Sequence, residues 1–154
     1  MTATDSSSPF TERTTPGPPL IGALLRVPLE AVQRHMLERL HERGFTDLEP
    51  AHLNVLQYPG PQGLRPSDLA ARLRISKQAL NYLLGQLERF GYLERHPDPD
   101  DLRSKRIVLT DRGTSLIPVI RGAVAEVETA WAQQLGAERF SHLRDLLLEL
   151  NQSA

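Results

Sequence analysis

From Leu20 onward apolar residues recur every third or fourth position, and Ile21, Leu25, Leu29, Val32, Met36 and Leu40 fall on one stripe of a first helix. Pro28 lies inside it and cannot donate to the preceding turn, so a bend is expected there, and Gly44 ends the helix. A second helix is expected from Glu49 to Tyr58, with Pro50 in the first turn and Leu53 and Leu56 turned inward, followed by a Pro- and Gly-rich turn over Pro59 to Gly63. Two short helices come next. Ser67 is the expected cap of one running through Leu73, and Ser76 the cap of another running to about Phe90. So tight a pair has the form of a helix-turn-helix, although any small helical hairpin reads the same way.

Beyond the pair, two β-capable runs, Tyr92 to Arg95 and Arg106 to Leu109, flank the polar stretch HPDPDDLRSK. This pattern predicts a hairpin with a long loop at its tip, a wing on the helix pair. Thr110 then caps a long helix with Leu116, Ile117, Ile120, Val124, Val127 and Trp131 on its apolar side and Pro118 as an expected kink. A last helix from Ala137 to about Asn151 carries Phe140, Leu143, Leu146, Leu147 and Leu150. The fold class is therefore mainly α with a small β-wing.

At 154 residues, 40% hydrophobic and 24% charged, the chain has the length and composition of one globular unit. Residues 1–19, rich in Ser, Thr and Pro, are expected to form a disordered tail without the basic start and apolar stretch of a secretory signal. The longest uncharged apolar run, Leu20 to Leu25, is far short of the roughly 20 residues of a membrane span. No cysteine is present, which excludes disulfides and thiolate metal sites and fits a cytoplasmic location. The five histidines show no metal-binding spacing, and neither a nucleophile with its base nor a phosphate-cradling glycine loop is found. No metal, cofactor or enzymatic activity is expected.

Charge is distributed unevenly. Residues 65–112 hold ten basic and seven acidic groups, a charge of +3, and the remainder holds eight basic and twelve acidic, −4. Such an excess is ordinarily a solvated surface; its coincidence with the helix pair and wing points to double-stranded DNA. With Leu80 at the centre of the apolar stripe of the second short helix, Leu83, Leu84 and Leu87 lie within about 60° of it, and Gln78, Asn81, Tyr82, Gly85 and Arg89 lie opposite. Amide side chains can pair with adenine, and Lys77 in the first turn can reach guanine or a phosphate. Gly85 reads either as room for close approach to DNA or as a tolerated imperfection. An outward Tyr82 calls for a partner surface, whether DNA or protein.

The run Asp101-Leu102-Arg103-Ser104, then Arg106-Ile107-Val108-Leu109-Thr110-Asp111-Arg112-Gly113, resembles the wing signature of the MarR family of bacterial transcription regulators. Leu69-Ala70-x-x-Leu73, Ser76-Lys77-Gln78-Ala79 and Leu87-Glu88-x-x-Gly91-Tyr92-Leu93-Glu94-Arg95 resemble that family's helix-turn-helix. The resemblance implies a winged helix-turn-helix at 49–110 within a single unit spanning 20–151, flanked by N- and C-terminal dimerisation helices at 20–45 and 111–151. It implies a homodimer that acts as a repressor on a pseudo-palindromic operator, released in many members by a small aromatic effector. It matches Arg103 to the arginine that enters the minor groove and Asp101 to the acidic residue that orients the wing. The DNA-binding set expected is Ser76, Lys77, Gln78, Asn81, Tyr82, Arg89, Arg103, Ser104, Lys105 and Arg106. No ligand site is matched by any motif, and the cysteine-based sensing of some members is excluded. Apolar stripes on three terminal helices exceed what one small winged unit can cover, which independently favours a partner chain; Trp131 fits either that interface or the subunit's own core. The alternative is a winged helix that binds protein without reading an operator.

Overall fold

The computed structural model describes residues 17–153 except 58 and 61. The tail expected at 1–19 lies outside the described residues apart from its last three positions, and so does Tyr58, the expected end of the second helix. The element order is α1 (Ile21–Glu42), α2 (Pro50–Leu56), α3 (Pro66–Leu73), α4 (Lys77–Arg89), β1 (Leu93–Asp98), β2 (Asp101–Leu109), α5 (Asp111–Leu135) and α6 (Ala137–Ser153). Among the described residues, six helices and one two-stranded antiparallel sheet make a mainly α fold with a β-wing.

Local chemistry sets the helix starts. Ser76 Oγ accepts the Ala79 N–H at 3.1 Å at the head of α4, and Thr110 Oγ1 accepts the Gly113 N–H at 3.0 Å at the head of α5. The cap expected at Ser67 is instead at Arg65. Pro66 takes the first helical position, where its missing N–H costs nothing, and so starts α3 ahead of the serine. At α2 the backbone N–H of Glu49 donates to His52 Nδ1 at 3.0 Å, leaving Nε2 of the buried His52 to donate to Gln86 Oε1 of α4 at 3.1 Å.

The expected ten-residue loop at the wing tip is a correction. Both strands run through it, leaving only Pro99 and Asp100 between them, with Leu93 opposite Leu109 and Pro97 opposite Lys105. Proline is tolerated because a two-stranded sheet consists of edges. A short bridge extends the sheet: Leu64 and Ile107 exchange N–H···O bonds of 3.1 and 2.7 Å.

Leu40, Leu53, Leu56, Leu69, Leu80, Leu84, Leu87, Tyr92, Leu93, Ile107 and Leu116 are all buried in one core shared by the winged unit, the end of α1 and the start of α5. Away from that core, α1 packs along α5 and α5 against α6. Leu20, Ile21, Leu24, Leu25, Val27 and Leu29 are nonetheless exposed at the start of α1, as are Leu143, Leu146, Leu148 and Leu150 on α6. Trp131 is half-buried, bordering with Phe140 and Leu147 a cavity between α5 and α6. No helix among the described residues is long and apolar enough to cross a membrane.

Candidate nucleic-acid interface

Helix α4 is held by one face. Leu80, Leu84 and Leu87 are buried and Leu83 is half-buried, and this fixes which side chains point away. Lys77, Gln78, Asn81, Tyr82 and Arg89 are all exposed, Tyr82 by 67%, and Gly85 is half-buried. The Ser76 hydroxyl is occupied as the helix cap. Lys77 in the first turn adds a positive charge to the positive end of the helix dipole, which is unfavourable for the helix alone and favourable beside a phosphate. Arg89 sits twelve residues further on, about 18 Å along the axis at 1.5 Å per residue, so it faces a different stretch of any bound duplex.

The wing is organised around Asp98. Its side chain is fully buried, and its carboxylate accepts from the Asp100 N–H at 3.0 Å, Arg106 Nε at 3.0 Å, Ser104 Oγ at 3.3 Å and Arg65 Nε. The Asp100 N–H above all, with Arg65 and Arg106 adding to it against the effect of burial, holds the carboxyl well below the usual carboxylate range. Arg106 also reaches Asp100 Oδ2 at 2.9 Å. Ser104 and Arg106, both in the expected DNA-binding set, are thus half-buried and turned onto Asp98, where they stiffen the hairpin. A cation in a basic segment reads as exposed from the sequence, but here a buried carboxylate draws Arg106 in.

Asp101 acts on the backbone: its Oδ1 accepts the Arg103 N–H at 3.1 Å and its carbonyl accepts from Ser104 Oγ at 3.0 Å. The side chains of Arg103 and Lys105 are exposed, and neither is in an ion pair with another described residue. Asp98 and Arg65 lie outside the expected set. An Asp between two prolines in a basic segment is a visible signal, but its partner is 33 positions upstream.

A second cluster joins the winged unit to α5. Tyr92 donates its hydroxyl to Asp47, while the Arg112 guanidinium lies 4.5 Å from the centre of the Tyr92 ring and bonds both the hydroxyl and Asp47. Burial and the Asp47 hydrogen bond push the Tyr92 hydroxyl above its ordinary pKa, with Arg112 opposing. Gly113 sits here of necessity, since a Cβ would lie 2.0 Å from the Tyr92 carbonyl oxygen. Further along, Glu126 of α5 bonds His35 Nε2 at 2.7 Å and Arg39 Nε at 2.9 Å, contacts that hold its carboxyl below the usual range.

A model of the MarR family matches residues 46–104, from just before α2 into the wing. PecS of Dickeya dadantii, an HTH-type transcriptional regulator, is 31% identical over 134 residues, covering 83% of this chain and 77% of that one. The chain belongs to the MarR family. YkoM of Bacillus subtilis, an uncharacterized HTH-type transcriptional regulator, is 35% identical over 91 residues, and the match spans 59% of this MarR-family chain and 58% of YkoM. Among solved structures, the transcriptional repressor CouR bound to a 23-mer DNA duplex superposes with a TM-score of 0.69 at 26% identity, covering 86% of this chain and 92% of that one. As a MarR-family member the protein is a transcription regulator and not an enzyme.

Proposed function

We propose that this MarR-family chain acts in the cytoplasm as a homodimer that represses transcription by binding a pseudo-palindromic operator. The observation that carries the reading is the α4 surface: one face is locked into the core by leucines, and Lys77, Gln78, Asn81 and Tyr82 stand outward beside a stiffened wing. In this reading the α4 helices of two subunits enter successive major grooves about 10 base pairs apart, Lys77 meets phosphate or guanine, and Gln78 and Asn81 read base edges. Arg103 at the wing enters a narrow minor groove, where negative potential is concentrated, with Lys105 on the flanking backbone and Arg89 on phosphates further along. Asp101 orients Arg103 through the backbone bond described above.

The exposed leucines of α1 and α6 support a second copy as partner, because a monomer in water rarely leaves so much apolar surface uncovered. A small aromatic acid is proposed to weaken operator binding. Open cavities beside α1, one bordered by Leu37, His41 and Pro50 and another by His35, Glu126 and Trp131, offer it space. The test is a gel-shift titration against DNA upstream of the protein's own gene, with and without aromatic acids. The reading expects a sequence-selective complex that the acids weaken; binding without sequence preference contradicts it.

A further inference from the structure

Among the described residues, the large exposed apolar side chains fall on the start of α1, on α6, and at two positions of the winged unit, Tyr82 and Leu102. The first two groups lie on the helices proposed to meet a second copy, and Tyr82 lies on the face proposed to enter the major groove. Leu102 remains, and at 80% exposure it is the most exposed of them all.

Its neighbours hold it still. On one side Asp98 gathers Arg65, Arg106, Ser104 and the Asp100 N–H. On the other, Asp101 accepts the Arg103 N–H and its carbonyl accepts from Ser104 Oγ, so the backbone is pinned on both sides of Leu102. An apolar side chain displayed on a stiff polar tip has no intramolecular use, and water is a poor medium for it. Strand alternation places Leu102 on the side of Ser104 and Arg106 and Arg103 on the side of Lys105. A hairpin tip entering a minor groove about 6 Å wide meets a wall on each side, and those walls are deoxyribose carbon surfaces.

We propose that Leu102 packs against the deoxyribose wall of the minor groove that Arg103 enters, adding an apolar contact that favours narrow A·T-rich steps. The proposal rests on the operator-binding function above and assigns part of its selectivity. A narrow groove brings the wall onto Leu102; a wider G·C groove leaves the side chain in water. Contact with sugar carbons releases no counterions, so its contribution is independent of salt, unlike that of a guanidinium.

The test is an anisotropy titration of the full chain at several salt concentrations on a duplex from upstream of its own gene, and on the same duplex with G·C steps at the wing positions. Leu102→Ala is expected to bind the A·T duplex about tenfold more weakly at every salt concentration, with an unchanged salt slope and reduced discrimination against G·C. Leu102→Met should stay near the unaltered chain, showing that an apolar body suffices. Arg103→Ala should instead flatten the salt slope by about one per subunit. Leu102→Ala binding within twofold of the unaltered chain, or flattening the slope as Arg103→Ala does, overturns the role given to Leu102 and leaves the operator function standing. Failure of the unaltered chain to prefer any duplex overturns both.

Discussion

Asp98, next to the wing turn, accepts a hydrogen bond from Arg65, the residue that immediately precedes α3. The bond joins the wing to the first helix of the helix-turn-helix across 33 positions of sequence, and Arg106 braces the same carboxylate from the second strand. A buried carboxylate so surrounded fixes geometry, because losing either partner leaves charge without compensation.

The pH dependence of stability follows from the lowered pKa of Asp98. A carboxyl that is more acidic folded than unfolded stabilises fully above its ordinary pKa of about 4 and loses that contribution as pH falls toward its lowered value. Asp98→Asn is therefore expected to lower the Tm at pH 7 and pH 5 by similar amounts, with the gap to the unaltered chain narrowing below pH 4. Melting curves followed by circular dichroism check this; a gap that is constant with pH, or that widens in acid, contradicts it.

Two glycines should respond in opposite directions to alanine. At Gly113 a methyl group would collide with the Tyr92 carbonyl oxygen, which already accepts from the Thr110 N–H at 3.1 Å. Gly113→Ala is expected to cost about 3 kcal/mol, the upper part of the usual range for overpacking. Gly85 has open space around it inside α4, and Gly85→Ala should add up to about 1 kcal/mol through helix propensity. Urea denaturation distinguishes the two, and equal effects would show that the space around them does not decide.

Much of the helical order is legible in the sequence because it depends on local terms. Leucines at Leu80, Leu84 and Leu87 follow the helical period, and Ser76 and Thr110 cap through bonds three residues away. The wing tip is less legible. Its prolines and aspartates have the composition of a loop, and what makes HPDPDDLRSK pair as strands is the set of groups that converge on Asp98, Arg65 among them. Likewise Arg106 looks like any exposed cation until the carboxylate it serves is located. The exposed α4 side chains, by contrast, follow from the apolar stripe opposite them.

The α4 side chains should separate by what they touch. Lys77→Ala is expected to weaken binding to all sequences alike and to flatten the salt slope by about one per subunit. Gln78→Ala and Asn81→Ala should keep the slope and lose discrimination at particular base pairs, by about 1–3 kcal/mol for each paired contact. Titrations on operators substituted one base pair at a time resolve the two patterns; uniform effects from all three variants would contradict the assignment of roles.

The exposed leucines of α6 give a separate test of assembly. A charge at Leu146, 43% exposed in the single chain, would be buried if a second copy covers it. Leu146→Glu is expected to yield a folded monomer with operator binding weakened about a hundredfold or more, since each half-site is then held alone. Light scattering after size-exclusion chromatography reads the mass, and a dimer that survives the substitution excludes this face as the interface.

Footprinting of the unaltered chain on DNA upstream of its own gene tests most directly whether paired α4 helices read an operator. Two protected major-groove patches about 10 base pairs apart on one face of the duplex, flanked by minor-groove protection and lost at high salt, are predicted. Uniform protection along the fragment, or a single patch without a symmetry-related mate, would contradict the account.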